Sequence, residues 1–403
     1  MQIISAAVKN FKSLFDTSIS GFSSVNFIFG YNNSGKSNLL KFLQLLFSKK
    51  TIETVTTYDD NGITRTRRRI DTYTPFWQGY IYDMPFMYSG NNRSTRIEFE
   101  VRFDVKKEEL PFQQELLAAG YLYPNRDTVP LIISGEIISI NISDSEISLN
   151  EVILKGRKIY SKVNGERFFE EPNDSDLTNR EDIFTSIMDI FTDCVLLVES
   201  DRFFNIEKEN ESIVNAFNSN TFKSWLYNLS LDSERFEKFS GLIDFLNHFN
   251  VASNISNVLT HNLRSFPLKT TKLTFARFKE ELEIMLENSI GRFPLKNYGT
   301  GIQQILYILS KIFDTTSKIL LIEELELNLS PEYQELILNN LKNFVASRKL
   351  SQVFFTSHSD YLYRSDFKIF EVSINNQGKT RIASSRRTAL RQLRRAYLNY
   401  TGK

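Results

Sequence analysis

The sequence predicts an α/β fold: a parallel sheet with flanking helices, an antiparallel β lobe, and a helical insertion. Three observations carry this prediction. An apolar strand, a glycine loop and an amphipathic helix follow one another over 25–47. Two further apolar strands, at 318–322 and 352–356, each neighbour a helical pattern. Between these regions, 95–168 is rich in β-prone runs with alternating polarity.

Each element follows from its own pattern. Ile3–Val8 and Val25–Phe29 read as strands, and Ser37–Phe47 has apolar residues at helical spacing. Residues 50–94 are polar and turn-rich, and the run Arg65-Thr66-Arg67-Arg68-Arg69 reads as a solvated loop. TRIEFEVRFDV, LIISGEIISINI, EISLNEVILKG and RKIYSKV read as strands of the β lobe, and Asn164-Gly165 is a hairpin turn signal. EDIFTSIMDIF (181–191) reads as a helix and Cys194–Val198 as a buried strand. Residues 208–292 are read as mostly helical, for instance ARFKEELEIMLENSI over 276–290. A glycine turn and a helix fill 297–313, and a second helix spans 331–346. The tail ends in a basic helical pattern, TALRQLRRAYLNY.

Composition excludes several classes. Hydrophobic residues at 41% and charged residues at 24% suit a globular chain and exclude global disorder. The single cysteine, Cys194, allows no disulfide framework or zinc finger within one chain. Forty-nine basic against 48 acidic residues give no global pull toward nucleic acid, so any such contact must be local. The start lacks the basic and apolar pattern of a signal peptide, and no window approaches the length of a membrane helix. The expectation is a cytoplasmic protein with no membrane contact.

Four motifs carry chemistry. Gly30-Tyr31-Asn32-Asn33-Ser34-Gly35-Lys36-Ser37, followed by Asn38, fits the phosphate-loop pattern GxxxxGK[ST]. Its glycines let backbone N–H groups converge, and that nest with the helix N-terminus suits the β-phosphate of ATP. Lys36 supplies a point charge for the β- and γ-phosphates, and Ser37 a hydroxyl for Mg²⁺. Ile319–Ile322 is an apolar strand ending in Glu323-Glu324. By itself an acidic pair there marks only a strand end. With a phosphate loop in the same chain, Glu323 reads as the Mg²⁺ carboxylate and Glu324 as general base toward the attacking water. Gly299-Thr300-Gly301 opens a helix and offers a second N-terminal anion site, which one ATP can use if it comes from a partner chain. His358 follows the strand 352–356, where a histidine can contact the γ-phosphate or orient water.

The order of these motifs resembles the ABC-type ATPases of the RecF, SMC and OLD (overcoming lysogenization defect) group. VKNFKSL, FGYNNSGKSNLL, LLIEELELNLSP, FFTSHSDYL and CVLLVESDR are all similar to the OLD-like branch. The resemblance implies an ABC-type P-loop ATPase head that binds ATP and Mg²⁺. It implies catalytic roles for Glu324, His358 and Lys36, metal contacts from Ser37 and Glu323, and a signature loop at Gly299, Thr300 and Gly301. It also implies a Q-loop glutamine among the metal-site residues, for which Gln78 is the candidate against a plain loop residue. The sequence departs from the group at Gly299, where many relatives have serine, and at Leu325 and Ser330, where the branch has proline and histidine. The implied domains are 1–202 (head, phosphate loop and β lobe), 203–295 (mainly helical insertion) and 296–403 (signature, Glu-Glu strand, histidine and basic tail).

Implied partners are a second copy of the chain, sharing ATP sites, and a separate nuclease or toxin effector, as in Septu- and PARIS-type anti-phage systems. DNA or a phage protein would be the trigger. A Toprim nuclease is disfavoured. Glu199 and Asp201 lie on a similar strand, but no later strand ends in Asp-x-Asp, so both read as structural. A transporter subunit is disfavoured by the wide spacing between Lys36 and Gly301. A RecF-like role in DNA maintenance stays open at this point.

Overall fold

The computed structural model describes residues 1–47, 50–60, 63–73, 79–82, 96–139, 144–164, 166–169, 180–191, 194–200, 222–248, 272–278, 281–288, 291–297, 300–359, 362 and 367–385. Gln78, Gly299, Asp201 and the basic pattern at 388–400 lie outside them.

The strands in chain order are β1 (Gln2–Phe11), β2 (Leu14–Ser20), β3 (Val25–Gly30), β4 (Lys50–Asp60), β5 (Ile63–Tyr73), β6 (Gly79–Tyr82) and β7 (Ile97–Lys106). They continue with β8 (Thr128–Ser139), β9 (Asp144–Leu154), β10 (Arg157–Val163), β11 (Glu166–Phe169), β12 (Val195–Val198), β13 (Lys272–Phe278), β14 (Glu281–Asn288) and β15 (Gly291–Pro294). The last four are β16 (Ile319–Ile322), β17 (Gln352–Ser357), β18 (Lys368–Ile374) and β19 (Thr380–Ser384).

The chain divides into two compact units. The first comprises Met1–Leu197, Thr316–Glu323 and Val345–Lys403, and the second Val198–Thr315 and Glu324–Phe344.

The first unit holds two large sheets. A six-stranded sheet runs β12-β16-β17-β3-β18-β19, with β16, β17, β3 and β18 mutually parallel and β19 antiparallel at the edge. Strands buried on both faces carry continuous apolar runs. Accordingly Ile319–Ile322 is buried throughout, as is Gln352–Ser357. Phenylalanines fill this sheet. Phe27 stacks on Phe355 at 4.9 Å, and Phe22 meets Phe354 and Phe370 edge-on at 5.0 and 5.1 Å.

The second sheet is antiparallel, with eight strands in the order β11-β10-β9-β8-β7-β1-β2 and β6 paired to β9. The lobe expected over 95–168 therefore recruits the N-terminal hairpin as well. Alternation explains it, since Ile97, Phe99, Val101, Phe103 and Val105 are buried between more exposed neighbours along β7. Asn164 takes φ +52° in the tight β10–β11 hairpin, as its turn signal requires. One buried amide ties the two sheets together. Gln352, fully buried on β17, accepts from Ile3 N–H and donates to the carbonyls of Ile3 and Ser23, each at 2.8 Å.

Two expectations fail here. The arginine run is no loop, because Ile63–Tyr73 is β5, paired antiparallel with β4 from Lys50↔Tyr73 to Asp60↔Ile63. Its arginines are interleaved with and flanked by Thr64, Thr66, Ile70 and Thr72, whose branched side chains favour extended backbone. Nor are the described residues of 276–290 helical. They are the end of β13 and all of β14, with Leu273↔Leu286 and Ala276↔Glu283 in register. Leu and Glu are strong helix formers, but Glu281-Leu-Glu-Ile284 alternates with period two, and pairing with its neighbours wins.

The second unit thus mixes helices with a three-stranded sheet, β13-β14-β15. Among the described residues its α-helices are Phe222–Ser230, Ser233–His248, Thr300–Asp314 and Pro331–Ala346, the last passing into the first unit after Phe344. Ile305, Ile308 and Ile312 of the third helix line a small apolar space with Leu336, Ile337 and Leu341 of the fourth.

Candidate functional site

The site is built at the carboxyl ends of the parallel strands, where ligands sit in open α/β sheets. β3 delivers the chain into Gly30–Ser37, and the helix Lys36–Phe47 leaves it. Asn33 (φ +61°) and Gly35 (φ +98°) are both left-handed, which curls the loop back on itself. Successive N–H groups in such a curl form an anion-binding concavity. The helix has no acidic residue in its first turn, so no carboxylate of its own competes for its positive end. Lys36 is 5% exposed, and its Nζ donates to the Gly30 and Tyr31 carbonyls at 2.7 and 2.8 Å. The ammonium is thereby fixed across the loop.

Strand register places the other groups. Ser357 pairs with Phe29 and Ile322 with Phe355, so Glu323 and His358 emerge at the same end of the sheet as the loop. β17 separates β16 from β3, so Glu323 stands two strand spacings, about 10 Å, from the loop's own strand. Glu323 is 4% exposed, whereas His358 is exposed beyond the buried Ser357. The Ser357 hydroxyl accepts from Ser359 N–H at 2.8 Å and shapes the turn carrying His358.

The model for the AAA ATPase domain family matches residues 1–363. This chain belongs to that family. It is an ATPase. An ATP/GTP phosphatase of Helicobacter pylori is 23% identical over 368 residues, spanning 89% of this chain and 85% of that protein. Among solved structures, an SMC head bound to the C-winged helix domain of ScpA is 13% identical, with a TM-score of 0.49, covering 97% of this chain and all of that one. The SMC head domain from Thermotoga maritima is 12% identical, with a TM-score of 0.42, over 96% of this chain and all of that one.

This AAA ATPase domain has further groups at the site that motif reading passed over. Lys12 lies in the β1–β2 turn at φ +49°. Burial pushes its ammonium below the ordinary lysine range, the nearby Lys41 charge adds to this, and Glu323 opposes it. A second cation therefore shares the surroundings of Glu323 and of the helix that follows the phosphate loop. VKNFKSL is similar to the OLD-like branch, but nothing in its pattern marks the lysine itself.

In the second unit, Glu324 follows Glu323 directly and adopts φ +45°, an uncommon conformation for a non-glycine residue. The turn is closed by Leu327 N–H donating to the Glu324 carbonyl at 2.9 Å. Thr300 is exposed at the start of its helix, and Gly301 is buried beside the segment after Glu324. A Cβ on Gly301 would lie 3.0 Å from the Tyr333 ring and 3.1 Å from the Asn328 carbonyl. The structure thus brings Gly301 against the loop that follows Glu324.

The residues fit the implied metal by the chemistry of their donors. The Ser37 hydroxyl and the buried Glu323 carboxylate are hard oxygen ligands, and Mg²⁺ is usually held by one or two carboxylates plus substrate phosphates.

Proposed function

We propose that the chain hydrolyses ATP with Mg²⁺ at a site completed by a second copy, and that this cycle controls a separate nuclease or toxin effector in anti-phage defence. The observation that carries the chemical part is one sheet end gathering Lys36, Ser37, Glu323 and His358. The defence role rests on the OLD-like character of the motifs.

Lys36 and the loop's N–H groups bind the β- and γ-phosphates. Ser37 and Glu323 would hold Mg²⁺, which neutralises charge on the phosphate oxygens. Glu324 takes a proton from the water attacking the γ-phosphorus, while the bond to the β–γ bridging oxygen breaks and ADP leaves. The left-handed backbone at Glu324 costs of order 1–3 kcal/mol, a strain of the kind found at functional positions. His358, exposed at the same sheet end, contacts the γ-phosphate, and Thr300 meets the partner's γ-phosphate with its hydroxyl.

Expressing this gene with its adjacent reading frame in a phage-sensitive bacterium tests the biological part. Resistance should need both genes and should disappear with Lys36→Ala. Full resistance with Lys36→Ala, or with the neighbour deleted, would overturn it.

A further inference from the structure

The back of the phosphate loop is held by residues from opposite ends of the chain. Thr380, the first residue of β19, is 5% exposed. Its Oγ1 lies 3.0 Å from the Ser34 carbonyl and 2.7 Å from Ser13 Oγ, and its N–H donates to the Ser13 carbonyl at 2.9 Å. Asn38, in the first turn of the following helix, donates to Ser13 Oγ at 2.8 Å. A carbonyl can only accept, so the Thr380 hydroxyl donates to Ser34. Thr380 Oγ1 then accepts from Ser13, whose oxygen accepts from Asn38. The result is a directional chain, Asn38 to Ser13 to Thr380 to the loop carbonyl.

We infer that Thr380 is a positioning residue for nucleotide binding, fixing the Ser34–Gly35 peptide plane so that the Gly35 N–H faces the phosphates. This rests on the reading that the loop holds ATP. The bond is trans, so the N–H of Gly35 points opposite to the carbonyl of Ser34. Anchoring the carbonyl behind the loop aims the N–H to the front. Without an anchor this plane would rotate readily, because Gly35 has no Cβ to resist a change of φ. The same packing explains why position 35 is glycine beyond its φ of +98°. A Cβ there would fall 2.1 Å from Thr380 Oγ1 and 2.7 Å from Ser13 Oγ.

The test is steady-state ATPase kinetics and ADP inhibition for wild type, Thr380→Val, Thr380→Ala, Thr380→Ser and Lys36→Ala. A backbone donor to the β-phosphate serves ground and transition states alike. Its loss therefore raises KM and leaves kcat largely unchanged. Thr380→Val should raise KM for ATP and the inhibition constant for ADP by the same factor, about tenfold for one misdirected hydrogen bond. Thr380→Ser keeps the hydroxyl and should stay within about twofold of wild type. A folded Thr380→Val with unchanged KM, a loss confined to kcat, or a serine variant as impaired as valine would overturn the inference. So would failure of both Thr380→Val and Thr380→Ala to fold, which would make Thr380 a packing residue. If wild type turns over no ATP, or Lys36→Ala turns it over equally, the reading of the loop itself falls instead.

Discussion

At the scale of single residues, the charges around the phosphate loop have different tasks. Lys36→Ala removes the cation nearest the transferred phosphate and should abolish turnover, measured as phosphate release. Glu324→Gln keeps the size but cannot accept a proton, so ATP should bind and persist while the rate falls about 10²–10⁴-fold. If Glu323→Gln gave that bound but inert state and Glu324→Gln stayed active, the two roles would be exchanged. Lys12 offers a different kind of test. Burial and Lys41 disfavour its charge, so the folded state binds this proton less readily than the unfolded chain does. That penalty applies in full below the lowered folded-state pKa and fades as pH rises towards the ordinary lysine value. Lys12→Met should therefore leave the melting temperature at neutral pH unchanged or raised, while slowing ATP hydrolysis. A lowered melting temperature with intact activity would contradict a functional reason for the charge. The motif residues were legible because the chemistry fixes their types at fixed spacing, as in Gly30–Ser37. Lys12, Ser13 and Thr380 were not. Their meeting depends on contacts across as many as 367 residues of sequence, which no local pattern records.

At the scale of elements, period and burial decided what could be read. Apolar runs such as Ile319–Ile322 and the alternation of β7 were legible, since each pattern has one packing solution. Glu281–Asn288 was not, because strong helix formers sit on a period-two pattern and only the partners β13 and β15 decide between them. The arginine run was misread for a similar reason, since charge suggested solvent while strand pairing set the backbone. β18 and β19 went unread, although β18 pairs in parallel with the phosphate-loop strand and β19 carries Thr380. The join between the sheets can be tested at Gln352. Gln352→Leu keeps the volume but strands the N–H and carbonyl of Ile3, both buried. It should lower stability by about 2–3 kcal/mol in urea unfolding. No change in the midpoint would mean that the amide is dispensable to the packing of the two sheets.

At the scale of the whole molecule, the central claim is that ATP turnover needs two copies of the chain. The basic tail adds a question of partners. From Val372 to Lys403 there are eight basic residues and no acidic one. Arg391, Arg394 and Arg395 changed together to Glu should weaken an electrostatic contact with nucleic acid or an acidic protein, and flatten its salt dependence. Unchanged binding would leave a solvated surface. Among the described residues no helix is long and apolar enough to cross a membrane. The proposed shared site is best probed at Thr300, which is exposed, and not at Gly301, where a Cβ 3.0 Å from the Tyr333 ring and 3.1 Å from the Asn328 carbonyl would also disturb local packing. The decisive measurement mixes two inactive variants, Lys36→Ala and Thr300→Arg, and follows ATP hydrolysis alongside a direct count of mixed dimers. Each alone should be inactive and the mixture should regain activity, because one site in a mixed dimer would combine an intact phosphate loop with an intact signature. No recovery despite demonstrated mixed dimers, or full activity of Thr300→Arg alone, would contradict it.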